Sequence, residues 1–105
     1  MQARQGDIFF RQVENPRGNK RLETPILAYG EVTGHSHKIM TPSLAEMESF
    51  VDENGDIYMM SPNQKIVIGH DEHNNITLPA GQWFCVTRQR EYDPLAENRQ
   101  RQVRD

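Results

Sequence analysis

The 105-residue chain has only one cysteine, Cys85, so no disulfide can form within it. This cysteine lies in the apolar run Trp83-Phe84-Cys85-Val86, which predicts a small buried side chain rather than a nucleophile. No stretch approaches the ~18 apolar residues of a membrane span, and residues 1–5 do not resemble a secretion signal. These absences predict a cytoplasmic protein, or one inside a particle assembled in the cytoplasm, with no membrane partner.

Basic residues are scarce in the middle of the chain. Between Ile39 and Thr87 only Lys65 is basic, against seven acidic residues, whereas five arginines lie between Arg88 and Arg104. The net charge of −3 gives no general attraction to nucleic acid, so nucleic acid is not expected as a general partner. Two interpretations stay open: a surface that neutralises itself, or separate sites for a cation and an anion.

Short apolar runs and turn residues alternate along the chain, and no convincing helix separates them. They predict strands over residues 7–13, 25–31, 35–40, 57–60, 65–69, 76–78 and 82–92. Roughly eight short, mainly antiparallel strands at this spacing predict an all-β fold, either a small barrel or a sandwich. The length predicts one domain over residues 1–105, in which residues 95–105 form a closing strand, a short helix or a flexible arm.

Residues 43–51 allow two interpretations. Leu44, Met47 and Val51 fit a helical stripe, whereas residues 46–51 also alternate as a strand. We favour the strand, because Asn54-Gly55 then forms a hairpin turn to the next apolar run.

All four histidines fall in two pairs, each preceded by a glycine. His35 and His37 are two residues apart, so a strand places both side chains on one face, whereas His70 and His73 converge only in a turn. Imidazole is a common ligand of transition metals, so the pairs predict a divalent metal site for Zn, Fe, Mn or Ni. Glu72 is the candidate general acid or base.

Other carboxylates and other uses of the histidines remain open. Asp71 and Glu31 are further candidates for a ligand or for a residue that orients one. Without a metal, the histidines would form a hydrogen-bond network or a polar ligand pocket, or would share the surface by coincidence.

A second candidate site lies at the end of the last predicted strand. Arg88, Arg90 and Tyr92 alternate and therefore share one face, where two guanidinium groups and a phenol suit a small anionic ligand. Alternatively, Glu91 and Asp93 pair with these arginines.

Two segments resemble cupins. Residues 30–37 contain a glycine followed by His35-Ser36-His37, and Pro79-Ala80-Gly81 matches the Pro-X-Gly turn of the second cupin motif. The resemblance implies a small β-barrel that binds a divalent metal through His35 and His37. The chain departs from cupins where it has no glutamate four or five residues after His37 and no histidine after Gly81. It is also similar to small uncharacterised bacterial and phage proteins with paired Gly-His-X-His and His-X-X-His motifs.

Three functions follow as hypotheses. The first is a metal-binding small β-barrel whose reaction is unknown. The second is a non-catalytic structural or accessory subunit of a larger, virion-like assembly, a homo-oligomer with histidines at its interface. The third is a protein that binds a small ligand or nucleotide through its arginines.

Overall fold

The structure, a computed structural model, describes residues 1–29 and 35–88. Two antiparallel sheets pack as a sandwich, which confirms the all-β prediction; within the described residues they do not close into a barrel. The strands are β1 (Gln2–Gln5), β2 (Ile8–Val13), β3 (Lys20–Arg21), β4 (Ile26–Tyr29), β5 (Ser36–Thr41), β6 (Glu48–Val51), β7 (Ile57–Met60), β8 (Ile66–Gly69), β9 (Ile76–Leu78) and β10 (Trp83–Arg88).

The strand order places both ends of the chain's described part in one sheet. The larger sheet runs β1-β2-β10-β7-β6-β3 and the smaller one β4-β5-β8-β9. The predicted hairpin between β6 and β7 is present, with Val51 opposite Ile57. Gly55 takes a φ of +88° in its turn, and the Asp52 carboxylate accepts the backbone N–H groups of Asn54 and Asp56. The turn chemistry therefore fixes the register of this pair.

The structure differs from the sequence prediction at β1 and β3, which lie outside the predicted strands, and at residues 43–51. β1 was not predicted, because Gln2 to Gln5 carry almost no apolar side chains and the hydrophobic pattern has nothing to detect. Residues 43–51 are not one strand: a 3₁₀ turn over Leu44–Glu46 precedes β6, so each interpretation describes half of the segment. β10 is described as far as Arg88, and residues 95–105 lie outside the described part.

The core lies between the two sheets. Alternate residues of the central strands point inward, as the period of two in a strand requires. The fully inaccessible side chains include Phe10, Met59 and Phe84 from one sheet, and Ile66, Ile68 and Leu78 from the other. The sandwich thus depends on apolar contacts across the sheets rather than on a helix. None of the described helical residues forms a segment long or apolar enough to cross a membrane.

Cys85 is only 1% exposed, as the sequence predicted. It alternates with the core residues Phe84 and Val86 and lies outside the core cluster, so it faces away from the second sheet, opposite Tyr58. Burial raises the pKa of the Cys85 thiol, partly offset by a hydrogen bond with Tyr58. A buried thiol that resists ionisation is a poor nucleophile.

Phe9 and Phe10 are adjacent in β2, and substitutions at the two positions test which side chains of this strand face the core and which face outward. Phe10→Ala should lower the free energy of unfolding by about 3–5 kcal/mol, because its fully buried ring leaves a cavity. Phe9 lies on the outer face with the Arg4 guanidinium 4.9 Å from its ring centre, so Phe9→Ala should cost only about 1 kcal/mol. Urea unfolding measures both, and equal losses would contradict the register of β2.

Candidate functional site

The four histidine rings converge at the end of the β5–β8 strand pair. Lys38 pairs with Gly69, and continuing this register brings His37 opposite His70. Their ring centres are 4.3 Å apart. His73 lies 4.6 Å and His35 5.9 Å from the His70 ring, again between centres. The antiparallel register therefore brings together two histidine pairs that are 33 residues apart in the sequence.

The turn between β1 and β2 borders the same cluster. Gln5 pairs with Ile8 across a two-residue turn, Gly6-Asp7, in which Gly6 has a φ of +61°. A positive φ at the first turn residue is typical of a type II′ hairpin turn and favours glycine. A Cβ atom on Gly6 would lie 2.8 Å from His73 Nε2 and 3.1 Å from His37 Cε1. The missing side chain thus lets both imidazoles approach the backbone.

Gln5 fixes the orientation of His37. Its side-chain amide nitrogen donates to the carbonyl oxygens of Ile68 at 3.0 Å and Asn74 at 2.8 Å. The Gln5 Oε1 atom is therefore left to accept a hydrogen bond from His37 Nδ1 at 2.9 Å. Both side chains are almost completely buried. With the proton on Nδ1, the neutral form of His37 presents a lone pair at Nε2.

Asp7 faces that lone pair. Its Oδ1 atom is 3.2 Å from His37 Nε2, and its Oδ2 atom accepts a hydrogen bond from Arg88 Nε at 2.8 Å. Burial raises the pKa of Asp7, but the hydrogen bond and positive charge of Arg88 outweigh it, so the net pKa is lowered. Arg88 thus holds the carboxylate ionised beside His37.

Burial is the main reason that the pKa of His37 lies below its usual value of 6.5. The neighbouring His70 lowers this pKa further, and His73 adds a smaller effect, while Asp7 acts in the opposite direction. The net effect favours the neutral imidazole, which is the form that binds metals.

The remaining histidines lie on the more exposed side of the cluster. His70 Nδ1 accepts the backbone N–H of Glu72 at 3.0 Å. His35 Nδ1 is inaccessible and has no hydrogen-bond partner among the described residues; the Glu72 Oε2 atom is 3.5 Å away. The Asp71 carboxylate lies 3.8 Å from His35 Nε2. The β8–β9 loop therefore supplies two acidic groups to the rim of the cluster.

The structure brings together His35, His37, His70 and His73, with the candidate acid or base Glu72 beside them. Over residues 1–29 and 35–88, no group of three or more His, Cys, Asp or Glu side chains is already arranged around one metal position. Arg88 is paired with Asp7, whereas Arg90, Tyr92 and Glu31 lie outside the described part. The anion site, like the oligomer, thus stays a prediction.

Gln5, Gly6 and Asp7 belong to the site, and the sequence did not single them out. Each is polar or lacks a side chain; Asp7 begins the first predicted strand, and Gln5 and Gly6 lie before it. Gly-Asp is nevertheless one of the dipeptides typical of two-residue hairpins. That signal was the available indication that a strand precedes Asp7 and folds back against it.

These features define the protein as an antiparallel β-sandwich with a cluster of histidines and carboxylates between one turn and one loop. Residues 4–89 match the family described as Domain of unknown function (DUF8820), and the chain belongs to that family. Searches of the curated proteins and of the solved structures found no match.

A matched pair of glycine variants tests the close approach at Gly6. Gly6→Ala and Gly81→Ala each force a side chain into a positive φ, of 61° and 78°, which should cost about 1–2 kcal/mol of stability. Only at Gly6 does the new Cβ meet another group, His73 Nε2; at Gly81 it meets nothing within 4 Å. Gly6→Ala should therefore shift the NMR signals of the His73 ring, and Gly81→Ala should not. Unchanged His73 signals in Gly6→Ala would contradict the contact.

The lowered pKa of His37 predicts acid sensitivity of the metal-free protein. The unfolded chain protonates this histidine near 6.5 and the folded protein only at lower pH. The contribution of His37 to stability is therefore complete above pH 6.5 and is lost as the pH falls below it, by at most about 1.4 kcal/mol per pH unit. NMR titration of the His37 ring and urea unfolding across this range measure both. A His37 midpoint at or above 6.5 would refute the assignment.

Proposed function

We propose that this protein binds a divalent transition metal ion, Zn, Fe, Mn or Ni, at the histidine cluster. One observation carries the proposal: His37 Nε2 and Asp7 Oδ1 face each other at 3.2 Å. His37 donates its Nδ1 proton to Gln5, and the other Asp7 oxygen accepts a hydrogen bond from Arg88, so both facing atoms present lone pairs. Two groups that both present lone pairs at this distance repel each other unless a cation or proton lies between them.

The hydrogen bonds of Gln5 exclude the neutral tautomer of His37 that carries its proton on Nε2, which leaves a cation beside Nε2 or a fully protonated ring. Because the Gln5 amide group is held by two carbonyl oxygens, its Oε1 atom accepts and His37 Nδ1 must donate. Metal-bound histidines commonly donate their second ring N–H to a carbonyl or carboxylate in this way, which fixes the tautomer and the ring plane. Burial of His37 lowers its pKa and disfavours the fully protonated ring, so burial is the observation that favours a cation over a second proton.

The separation of the two atoms also suits two ligands of one ion. Metal–nitrogen and metal–oxygen bonds are each about 2.0–2.2 Å, so two adjacent ligand atoms lie about 2.9–3.4 Å apart between octahedral and tetrahedral angles. The 3.2 Å between His37 Nε2 and Asp7 Oδ1 falls within this interval. Arg88 donates a hydrogen bond to the other carboxylate oxygen and so holds Asp7 in that position.

His70 and His73 are the candidates to complete the coordination. Both rings neighbour His37, but His70 Nδ1 accepts the Glu72 backbone N–H in the described structure. Binding through either nitrogen of His70 requires this hydrogen bond to break, because a neutral ring that ligates at one nitrogen carries its proton on the other. Metal binding is therefore coupled to rearrangement of the β8–β9 loop, which agrees with the absence of a preformed three-ligand group among the described residues.

Glu72 and His35 give the site a polar rim. The Glu72 side chain is 58% exposed and lies 3.5 Å from His35 Nδ1, so it is within reach of solvent and of the cluster. A metal ion held by protein ligands on one side and open to water on the other supplies Lewis acidity. Glu72 is the residue best placed to accept or donate a proton there.

Metal content of untagged protein is the direct test. After purification, mass spectrometry of elements should find about one Zn, Fe, Mn or Ni per chain, and calorimetry should show binding of Zn²⁺ to the chelator-treated protein. Asp7→Asn keeps the shape of the side chain but removes its charge, and should weaken Zn²⁺ binding by about 10–100-fold. Glu53→Gln, in the exposed β6–β7 hairpin, is the matched control and should bind like the wild type.

The double variant His70→Ala/His73→Ala is a second test, which leaves the hydrogen bonds between Gln5, His37 and the two backbone carbonyls intact. It should also weaken Zn²⁺ binding, with the urea midpoint of the metal-free protein little changed, because both rings belong to the partly exposed side of the cluster. If the folded wild-type protein binds none of the four metals, or if Asp7→Asn binds Zn²⁺ as tightly as Glu53→Gln does, the proposal is wrong.

A further inference from the structure

The outer face of the six-stranded sheet is unusually apolar for a surface. β7 reads Ile57-Tyr58-Met59-Met60 and β10 begins Trp83-Phe84-Cys85-Val86, so neither strand alternates apolar with polar residues. Strands of this kind are typical of sheets covered on both faces. The four-stranded sheet covers the inner face, and no strand of residues 1–29 or 35–88 crosses the outer one.

Partly exposed apolar side chains form one patch on this outer face, which we call the outer patch. The Phe50 and Trp83 rings stack with centres 6.3 Å apart, above the buried pair Tyr58 and Cys85. Further members follow from the register, which places Trp83 beside Val13 on one neighbouring strand. The outer patch consists of Phe9, Val13, Phe50, Met60 and Trp83, all of intermediate exposure.

The charges beside the outer patch are unevenly distributed: the β1–β2 side is mainly basic, and the β6–β7 side is mainly acidic, with Arg21, opposite Phe50 in the register, as a basic exception. Arg4 and Arg11 lie on the β1–β2 side, where Arg4 stacks on the outer ring of Phe9 and Arg11 pairs with Cys85 in the register. Asp52 and Asp56 lie on the β6–β7 side. Burial raises the pKa of Asp56, and repulsion from Asp52 raises it further, with Arg11 offsetting only part. Asp52 and Asp56 thus repel each other, and a basic group of a partner at this side would relieve that repulsion.

We propose that the outer patch is the interface of a homodimer. In this dimer the two outer faces meet, and a two-fold axis runs parallel to β10, midway between them. The axis would place the arginine side of each chain over the acidic side of its partner. The two faces would thus be self-complementary in charge, with Trp83 of both chains near the axis, as an isologous interface requires. Aromatic residues flanked by arginine are also the composition that protein interfaces favour.

Single-stranded nucleic acid is the competing occupant, because aromatic side chains and arginines on a sheet can stack bases. The acidic residues beside the outer patch and the net charge of −3 oppose a phosphate backbone. A second copy of the chain satisfies both signs of charge, and it is the partner that the observations favour.

Sedimentation of the untagged full chain tests the dimer. The wild type should sediment as a dimer, and Trp83→Arg should convert it to a monomer, because two guanidinium groups would meet in an apolar interface. Met40→Arg is the matched control: Met40 is an apolar residue of 58% exposure on the other sheet, and its replacement should leave the dimer intact. Val13→Arg repeats the test if Trp83→Arg does not fold.

Arg4→Glu tests the charge argument. It should raise the dimer dissociation constant by at least about tenfold, whereas Lys65→Glu, exposed and outside the outer patch, should not change it. A wild type that is monomeric at all concentrations overturns the proposal, as does a dimer that survives both Trp83→Arg and Val13→Arg. Binding of a labelled oligothymidylate that is lost in Trp83→Arg would assign the face to nucleic acid instead.

Discussion

The site depends on the side chain of Gln5, which joins the edge of one sheet to the other sheet. Its amide group reaches from β1 to the carbonyl oxygen of Ile68 on β8 and to that of Asn74 in the following loop, while its oxygen holds His37. Since Gln5 is only 2% exposed, its own side-chain amide depends on these partners for its hydrogen bonds. One uncharged residue therefore links the two sheets, the β8–β9 loop and the tautomer of the central histidine.

The two oxygen atoms of the Asp7 carboxylate face different partners. Arg88 binds one oxygen from the neighbouring β10 strand, and the other oxygen is directed at His37. A carboxylate pinned on one side by a charged hydrogen bond loses little conformational freedom when its second oxygen gains a ligand. The same ion pair that makes Arg88 less suited to an external anion would thus prepare Asp7 for the proposed cation.

Residue patterns predicted the fold better than they predicted the site. Alternating apolar residues and the Asn54-Gly55 turn placed most inner strands, because those strands derive their stability from burial of one face. The sequence did not predict β1, because this strand is held by its pairing with β2 and by the hydrogen bonds of Gln5, and neither produces a hydrophobic pattern. The pairing of His37 with His70 depends on the β5–β8 register, and a single sequence does not reveal which strands are neighbours.

The two proposed roles use different parts of the sandwich and therefore need not interfere. The histidine cluster lies where the β1–β2 turn meets the β8–β9 loop, beside the packed edge of both sheets. The outer patch lies on the far side of the six-stranded sheet, separated from the second sheet by the core. Asp7, just before β2, is hydrogen-bonded to Arg88 at the end of β10. The same two strands carry Phe9 and Trp83 of the outer patch. The proposed dimer would not cover His70 or His73, so the loop whose rearrangement the proposed metal binding requires would remain accessible.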